Sequence, residues 1–278
     1  MPTISTLITT LRSQLTSLYD AQEAGAVARI AGEELFGRHR MHAQDDVDAE
    51  MLLHWESLSA KLLSGMPLQY ALGKAWFMDM TLQVTPDVLI PRPETEEMVE
   101  IVITENRHPH PRILDVGTGS GCIALALQKY IPGAQVIGID ISVAAVQLAR
   151  RNADATGIPA TFDHIDIFDE NTVHTLPVFD LIISNPPYIH PDDKTLIHSN
   201  VLDYEPHLAL FTPAENPFIF YERISDIARV RLRGNLWFEI SADTGVQVAE
   251  IMRRNGFQKI RMMQDMQGKQ RFVTGVMD

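Results

Sequence analysis

The sequence contains a single cysteine, Cys122, so no disulfide can form within the chain, and a lone thiol is typical of a reducing compartment. Basic residues are also scarce: 23 Lys and Arg stand against 36 Asp and Glu, which gives a formal net charge of −13. That balance disfavours a broad basic surface for nucleic acid. No apolar run reaches the roughly 18 residues that cross a membrane, and the first residues lack the basic and apolar regions of a signal peptide. We therefore expect a soluble, cytoplasmic protein with no membrane contact and no direct nucleic-acid binding.

The first part of the chain has the apolar spacing of helices. Leucines and isoleucines within residues 7–18 recur with a period near 3.6, and Gly25 and Gly32 then loosen the pattern. A further helix is predicted to start at Asp45-Asp46, because carboxylates suit the first turn of a helix. This part of the chain holds no evident catalytic group. We therefore interpret residues 1–72 as a small helical domain that docks a protein substrate.

A hairpin and a proline-rich connection come next. Residues 76–84 suggest two short strands around a tight turn, and Pro86, Pro91 and Pro93 stiffen the stretch that follows. We interpret residues 73–93 as a linker. The chain of 278 residues accommodates such a division, since it allows one domain of about 200 residues and a smaller one.

Beyond the linker, strand and helix patterns alternate, which predicts a parallel sheet with helical crossovers. The predicted strands are residues 112–116, 135–139, 160–165, 179–184 and 235–240, followed by an antiparallel pair at 258–263 and 271–276. The predicted helices begin at residue 94 or 95 and then span 120–130, 142–156, 216–232 and 243–255. We therefore expect an α/β fold in which residues 94–278 form a domain with seven strands.

The stretch Asn185-Pro-Pro-Tyr188 directly follows an apolar strand. Neither proline has an N–H and each fixes its own φ at about −65°, so we expect a stiff loop at the carboxyl end of the strand. In open α/β sheets, ligands bind at that end. The side-chain carbonyl of Asn185 and the main-chain carbonyl of Pro186 can accept the two hydrogens of a planar –NH₂ group, while the Tyr188 ring packs against its face. The alternative interpretation is a strand that simply stops at two prolines.

A glycine-rich loop, Gly117-Thr-Gly-Ser-Gly121, joins the first strand of this domain to a helix. Its glycines permit a tight turn and let a ligand approach the N–H groups at the start of the helix. Asp140 ends the next strand, where a carboxylate can accept both hydroxyls of a ribose. Asp115 can either fix the loop or receive an ammonium group of the ligand. Together, the loop and Asp140 favour a nucleoside ligand over a plain tight turn.

Two residues after the third strand complete the predicted pocket. Asp166 and Ile167 stand where an adenine amine and the face of its ring can rest. Core packing explains Ile167 equally well.

These motifs, in this order, resemble the class I S-adenosylmethionine-dependent methyltransferases that modify amino groups on planar systems. Further stretches narrow the resemblance to the HemK-type protein-glutamine methyltransferases, and it covers most of the chain. The stretches are Pro67-Leu-Gln-Tyr70 with Gly73, Leu89-Ile-Pro-Arg-Pro-Glu-Thr-Glu96, Asp115–Gly121, Ser184–Ile189 and Tyr204-Glu-Pro206. The Ile-Pro-Arg-Pro-Glu-Thr-Glu sequence is the specific part, because DNA and RNA amino-methyltransferases also contain Asn-Pro-Pro-Tyr.

The resemblance implies a Rossmann-like class I domain, S-adenosyl-L-methionine as the cofactor and no metal. It further implies methyl transfer to the side-chain amide of the glutamine in the Gly-Gly-Gln loop of class I peptide chain release factors. The cofactor-binding residues that it indicates are Gly117, Thr118, Gly119, Ser120, Gly121, Asp140, Asp166, Ile167 and Asn185. The substrate-binding residues that it indicates are Asn185, Pro186, Pro187 and Tyr188, with catalysis assigned to Asn185, Pro186 and Tyr188. One position departs from the pattern, since the family commonly has a bulky residue such as Trp where this chain has Ile167.

Other functions remain as alternatives. A nucleic-acid amino-methyltransferase acting on a flipped base shares Asn-Pro-Pro-Tyr, and a glutamine methyltransferase of a ribosomal protein shares the remaining motifs as well. A catalytically silent binding module is disfavoured, because an idle site need not keep both the glycines and Asn-Pro-Pro-Tyr. An NAD oxidoreductase is disfavoured because G-x-G-x-G departs from the dinucleotide fingerprint G-x-G-x-x-G.

Overall fold

A computed structural model describes residues 2–40 and 47–277 of the chain. The predicted helix start at Asp45-Asp46 lies outside the described residues. Contacts between Cα atoms divide the chain into two units. The smaller unit comprises the residues up to Lys74 together with His198–Tyr204, and the larger comprises Ala75–Ile197 and the residues from Glu205 onward.

Helices make up the smaller unit and flank the sheet of the larger one. They are α1 (Ile4–Leu15), α2 (Ala21–Phe36), α3 (Ala49–Leu63), α4 (Leu68–Leu72), α5 (Pro93–Glu105), α6 (Cys122–Tyr130), α7 (Val143–Thr156), α8 (Glu170–Val173), α9 (Ser199–Tyr204), α10 (His207–Leu210), α11 (Ile219–Arg231) and α12 (Gly245–Arg254). Within the described ranges, no helix is both long enough and apolar enough to cross a membrane.

The first helices of the smaller unit start at side chains that cap them. Thr3, Asp20 and Asp48 each accept N–H groups of the first turn, which would otherwise lack partners. The helix α2 runs through Gly25 and Gly32, where the sequence predicted a looser pattern. It continues because its inward face consists of small buried residues that let neighbouring helices approach closely: Ala24, Ala28, Ala31 and Gly32.

A distant segment completes the smaller unit. The helix α9 comes from the connection that follows the Asn-Pro-Pro-Tyr stretch, about 140 residues after α3. The hydroxyl of Tyr204 donates to the main-chain oxygen of Ser64 at 2.8 Å, and the ring of His198 stacks on Tyr19 with centroids 6.1 Å apart. Sequence periodicity could not predict this, because a six-residue helix carries too short a pattern.

A seven-stranded sheet lies at the centre of the larger unit. Its strands are β3 (Arg112–Val116), β4 (Gln135–Asp140), β5 (Thr161–His164), β6 (Phe179–Ser184), β7 (Leu232–Glu239), β8 (Gln258–Gln264) and β9 (Gln270–Met277). They follow the order β5-β4-β3-β6-β7-β9-β8; β3 to β7 are parallel, and β9 runs antiparallel to both neighbours. The predicted fold class, an α/β domain with seven strands after a helical segment, is confirmed.

The strand β7 begins earlier than the predicted residue 235, and Gly234 explains the difference. The pairing of β6 and β7 contains an irregularity near Asp180. A Cβ on Gly234 would lie 2.1 Å from the main-chain oxygen of Asp180, so only glycine fits there. The glycine therefore marks a close approach of two strands rather than the end of one.

Two apolar clusters cover the two faces of the sheet. Successive residues of β6 alternate between them, since Ile182 belongs to one cluster and Leu181 and Ile183 to the other. Side chains of α5, α6 and α7 share the cluster of Ile183, while α11 and α12 share the cluster of Ile182. This double cover explains why the predicted strands are apolar throughout rather than alternating.

The predicted hairpin forms from β1 (Lys74–Phe77) and β2 (Met80–Gln83). Its apolar residues Phe77, Met80 and Leu82 are buried in the same cluster as α5, α6 and α7. The side chain of Asn152 on α7 also pairs with both main-chain groups of Gln83, at 2.7 and 3.0 Å. The hairpin is thus anchored on the larger unit by packing and by main-chain pairing.

Candidate active site

A cavity of about 470 Å³ opens at the carboxyl ends of β3, β4, β5 and β6. This is the edge at which ligands bind in open α/β sheets, and the volume lies in the range of small-molecule sites. The loops after these four strands line the cavity. Further parts of its wall come from the proline-rich stretch before α5, from Pro206, Leu208 and Ala209, and from residues of α5, α6, α7 and α11.

The glycine-rich loop after β3 has three glycines with positive φ, at Gly117, Gly119 and Gly121. A Cβ on Gly117 or Gly119 would meet nothing within 4 Å, and both residues line the cavity. A Cβ on Gly121 would instead lie 3.0 Å from the Phe162 ring. The first two glycines therefore leave open space over the loop, whereas Gly121 lets the loop pack against the core.

Asp115, near the end of β3, fixes the glycine-rich loop through a side-chain contact. Its Oδ2 accepts a hydrogen bond from Thr118 Oγ1 at 2.6 Å, and the carboxyl group is fully buried. Burial raises the pKa of Asp115 to about 7. Asp115 is not among the residues that line the cavity. Of its two predicted roles, the structure therefore provides the contact for fixing the loop.

Asp140 ends β4 and lines the cavity beside the loop. Its Oδ2 accepts the N–H of Gly119 and its Oδ1 accepts the N–H of Ser142, both at 2.9 Å. Burial raises the pKa of this carboxyl group, while the two N–H groups favour its charged form. The carboxylate is fixed in place, and each oxygen retains a lone pair for a further donor.

Apolar side chains line the cavity beyond Asp140. Ile167 both lines it and packs against the core cluster, so its position is compatible with both predicted roles. Phe168 and Phe220 join it, with ring centroids 5.9 Å apart. Asp166 Oδ1 accepts the N–H of Phe168 at 2.8 Å, which fixes the turn that carries both apolar residues. This end of the cavity therefore offers an apolar surface to a flat ring.

The Asn-Pro-Pro-Tyr loop begins immediately after β6. Asn185, Pro186 and Pro187 line the cavity, whereas Tyr188 is not among the lining residues. The Tyr188 ring packs against the core cluster, and its hydroxyl donates to Glu239 Oε1 at 3.4 Å. Burial raises the pKa of Tyr188 above its usual value. The loop thus has two sides, one facing the cavity and one anchored in the protein.

The amide of Asn185 is held by two buried side chains. Its Nδ2 donates to Thr95 Oγ1 at 3.1 Å, and Thr95 Oγ1 donates to Glu239 Oε2 at 2.6 Å. Thr95 and Glu239 are only 3% and 1% exposed. Burial raises the pKa of Glu239 to about 7. Three elements, α5, β7 and the loop after β6, meet in this contact.

An ion pair joins two other stretches around the cavity. Arg92 Nη2 lies 2.5 Å from Oε1 of the buried Glu205, and Glu205 Oε2 accepts the N–H of Ile90 at 3.2 Å. Arg92 lines the cavity, as does Pro206 next to Glu205. The pair therefore fixes the side of the cavity that neither the glycine-rich loop nor Asn-Pro-Pro-Tyr provides.

Comparison with known proteins adds an independent observation. A family model described as Methyltransferase small domain matches residues 96–204. The release factor glutamine methyltransferase of Bacteroides thetaiotaomicron is 36% identical over 270 residues, which are 95% of this chain and 96% of that protein. The chain belongs to the family of release factor glutamine methyltransferases. Its relative in Streptococcus pneumoniae, with the same name, is 41% identical over 222 residues, or 79% of this chain and 78% of that protein.

Solved structures agree with this family on the fold. The T. thermophilus 16S rRNA N2 G1207 methyltransferase, in complex with AdoMet and guanosine, superposes with a TM-score of 0.52 at 19% identity. The match covers 74% of this chain and 50% of that one, so this chain spans half the length of that structure. As a member of the release factor glutamine methyltransferases, the protein is an enzyme that uses S-adenosylmethionine as its cofactor.

The fold of this enzyme brings most of the predicted site residues to one cavity. All of them line it except Gly121 and Tyr188, which face the core. In the described part of the chain, no group of three His, Cys, Asp or Glu side chains could hold a metal ion.

Sequence reasoning assigned no role to several residues around the cavity, among them two aromatic residues and two that support Asn185. Phe168 and Phe220 line it, and Thr95 and Glu239 support Asn185. A signal for Glu239 was present, because an acid at the carboxyl end of a predicted parallel strand stands at the ligand edge of the sheet. Thr95 had a weaker signal, namely its place within the Ile-Pro-Arg-Pro-Glu-Thr-Glu stretch.

Proposed function

We propose that this enzyme methylates the side-chain amide nitrogen of the glutamine in the Gly-Gly-Gln motif of class I peptide chain release factors. The names of its full-length relatives support the substrate. The observation that carries the proposal is the position of Asn185. Its amide group donates to Thr95 and lines a cavity of cofactor size, so its carbonyl oxygen is available to accept from a substrate amide.

The residues around the cavity suit S-adenosylmethionine. Gly117 and Gly119 leave open space over the loop, and each carboxylate oxygen of Asp140 keeps a lone pair for a ribose hydroxyl. Ile167 and Phe168 offer apolar surface to the adenine. When bound, this cofactor supplies a methyl group on a positively charged sulfur.

The glutamine is proposed to lie against Asn185 and Pro186. An amide nitrogen is a poor nucleophile, because its lone pair is delocalised into the carbonyl group. Two acceptors, Asn185 Oδ1 and the Pro186 carbonyl, would hold the two N–H bonds and leave the nitrogen facing the methyl group. Catalysis would then consist mainly of alignment at about 3–3.5 Å and of stabilising the positive charge that develops on the nitrogen. Forming the carbon–nitrogen bond would break the methyl–sulfur bond and leave a neutral thioether, and the methylated nitrogen would release one of its protons to water. Contact of the Tyr188 ring with the glutamine remains a prediction.

The same proposal assigns roles to the parts of the chain. Residues 1–72 would dock the release factor, residues 73–93 would link, and residues 94–278 would carry out the transfer. None of the residues lining the cavity belongs to the described helices α1 to α4, which supports a separate docking role. Since release factors act in translation, this substrate also implies a cytoplasmic enzyme with no need to bind nucleic acid directly.

A labelled-methyl assay tests the proposal. The enzyme is incubated with S-adenosylmethionine carrying a labelled methyl group and a purified class I release factor, and the Gly-Gly-Gln peptide is analysed by mass spectrometry. We expect one methyl group on the glutamine, and none on a matched release factor with Gly-Gly-Ala. Label on a ribosomal protein, RNA or DNA instead of the release factor would overturn the proposed substrate and favour one of the alternatives.

A further inference from the structure

Three side chains from three separate elements form a continuous hydrogen-bonded chain behind the cavity. It runs from Glu239 at the end of β7, through Thr95 in α5, to Asn185 after β6, with steps of 2.6 and 3.1 Å. We refer to these three side chains as the relay. Asn185 and Thr95 both line the cavity, whereas Glu239 is not among the lining residues. Of the three, Asn185 is the one proposed to meet the substrate amide.

The available hydrogen-bond donors determine which group donates at each step of the relay. An ionised carboxylate can only accept, so Thr95 must spend its single hydroxyl proton on Glu239. The Thr95 oxygen is then left as an acceptor for Asn185. An acceptor at this position selects the Nδ2 side of the Asn185 amide, and Oδ1 consequently points away from Thr95.

When Glu239 is protonated, Thr95 no longer favours one orientation of the Asn185 amide. A protonated carboxyl can donate to the Thr95 oxygen, and the Thr95 hydroxyl is then free to donate to Asn185 Oδ1. The Asn185 amide could turn over by half a rotation at little cost. The turned Asn185 amide would present its own N–H groups to the –NH₂ group of the substrate. Both groups would then be donors, and no hydrogen bond could form between them.

The surroundings of Glu239 hold it in one place and set its charge. Tyr188 donates to Oε1, and the hydroxyl of Tyr221 on α11 donates to the main-chain oxygen of Glu239 at 3.0 Å. Glu94 on α5 disfavours the charged form, and Arg271 on β9 favours it. The thiol of Cys122, at the start of α6, also lies within electrostatic reach. With burial as the largest effect, the pKa of Glu239 lies at about 7.

We propose that Glu239 is a positioning residue that acts through Thr95 to keep Asn185 Oδ1, and not Nδ2, turned toward the substrate carboxamide. The inference rests on the proposed methylation of an amide nitrogen, and it adds a reason for the threonine in the Ile-Pro-Arg-Pro-Glu-Thr-Glu stretch. It also makes the orientation of Asn185 depend on the ionisation of a group that touches neither substrate nor cofactor.

The first test is kinetic. Glu239→Gln keeps the shape of the side chain but can donate to Thr95, so we expect kcat to fall roughly 10²-fold while the Kd of S-adenosylmethionine, measured by calorimetry, changes by less than about threefold. Thr95→Val should lower kcat by the same factor, whereas Thr95→Ser keeps the hydroxyl and should retain most of the wild-type kcat. The double variant E239Q/T95V should be no worse than either single one, because both remove the same relay.

The second test follows the pH. In the wild type, kcat should fall on the acid side with an apparent pKa near 7, and Glu239→Gln should abolish this limb. Glu94→Gln removes a neighbouring negative charge without touching the relay, so the limb should move to lower pH while the plateau is kept.

The third test does not depend on transfer. In protein labelled with ¹⁵N-asparagine, the side-chain NH₂ signal of Asn185, identified by its loss in Asn185→Asp, should shift between pH 6 and pH 8 in the wild type and not in Glu239→Gln. The proposal is overturned if the Asn185 signal of the wild type does not shift with pH. It is also overturned if Glu239→Gln keeps the wild-type kcat, or if it loses as much affinity for the cofactor as it loses in kcat. If the release factor is not methylated but the signal titrates as described, the proposed function fails and the orientation by Glu239 stands.

Discussion

Arg92 and Glu205 form an ion pair across 113 positions of the sequence, with the guanidinium 2.5 Å from a carboxylate that is almost fully buried. Both residues lie in stretches that carry the family resemblance. Neither stretch contains the glycine-rich loop or Asn-Pro-Pro-Tyr. The pair shows that these stretches serve a common purpose, which is to fix one wall of the cavity.

Removing the carboxylate of this pair should destabilise the protein. In Glu205→Ala, Arg92 loses its partner and the N–H of Ile90 loses its acceptor, so we expect the free energy of unfolding to fall by about 3 kcal/mol. Glu205→Gln keeps an acceptor for Ile90 and should lose roughly half as much. Urea unfolding measures both, and equal stability of Glu205→Ala and the wild type would contradict the assigned role.

Asn185→Ala should nearly abolish methyl transfer with a smaller effect on cofactor binding. The variant removes the acceptor proposed for the glutamine amide, so we expect kcat to fall by roughly 10²- to 10³-fold. The Kd of S-adenosylmethionine, measured by calorimetry, should change far less. Asn171→Ala, at an exposed position on α8, is the matched control and should stay within about twofold of the wild type. Undiminished turnover in Asn185→Ala would refute the proposed contact.

Two glycines of the same loop should respond differently to alanine. Both Gly119→Ala and Gly121→Ala introduce strain of about 1–2 kcal/mol, because each residue has positive φ. The new methyl group of Gly119→Ala occupies the cavity and should mainly weaken cofactor binding. That of Gly121→Ala meets Phe162 and Ala149 and should mainly lower the free energy of unfolding. Calorimetry and urea unfolding of both variants separate the effects, and identical profiles would contradict the distinction.

Asp115 should make folding stability depend on pH in an unusual direction. Burial raises its pKa from 3.8 to about 7, so its contribution to stability is fully present below about pH 4 and is lost as the pH rises through 7. Asp115→Asn can still accept from Thr118 but cannot ionise. Its stability relative to the wild type should therefore grow between pH 4 and pH 8, by about 4 kcal/mol at most.

Urea unfolding at pH 5, 6.5 and 8 measures this difference. Asp163→Asn, at an exposed position of β5, controls for the loss of a carboxylate as such. A difference between Asp115→Asn and the wild type that is the same at all three values would show that Asp115 ionises normally in the folded protein.

The sheet could be predicted from the sequence because each parallel strand is an apolar run with clear ends. The strand Phe179–Ser184 agrees at both ends, since the proline pair that follows cannot continue it. Ends marked by glycine were less informative. Gly234 lies inside β7, because the close approach of Asp180 requires a glycine there, which a local pattern does not reveal. Gly25 lies inside α2 although no close packing requires it, since a Cβ there would only touch the side chain of Arg12.

The residues of the candidate site divide in the same way. Asn185 and Asp140 follow predicted strands, so the topology alone brings them to one edge. Thr95 and Glu239 are 144 positions apart, and their contact depends on which helix covers which strand. The direction of Tyr188 was equally unpredictable. Its hydroxyl turns toward Glu239, and although both residues follow or end predicted strands, the strand order that makes those strands neighbours depends on the tertiary fold.

The excursion of the chain through His198–Tyr204 bears on how the protein can be divided. A fragment that ends at Lys74 would lack the helix whose Tyr204 caps the end of α3 at Ser64. A fragment that begins at Ala75 would keep that helix but leave the rings of His198 and Tyr204 without Tyr19 and Ser64. No single cut of the chain therefore separates the two units with all of the contacts of each intact.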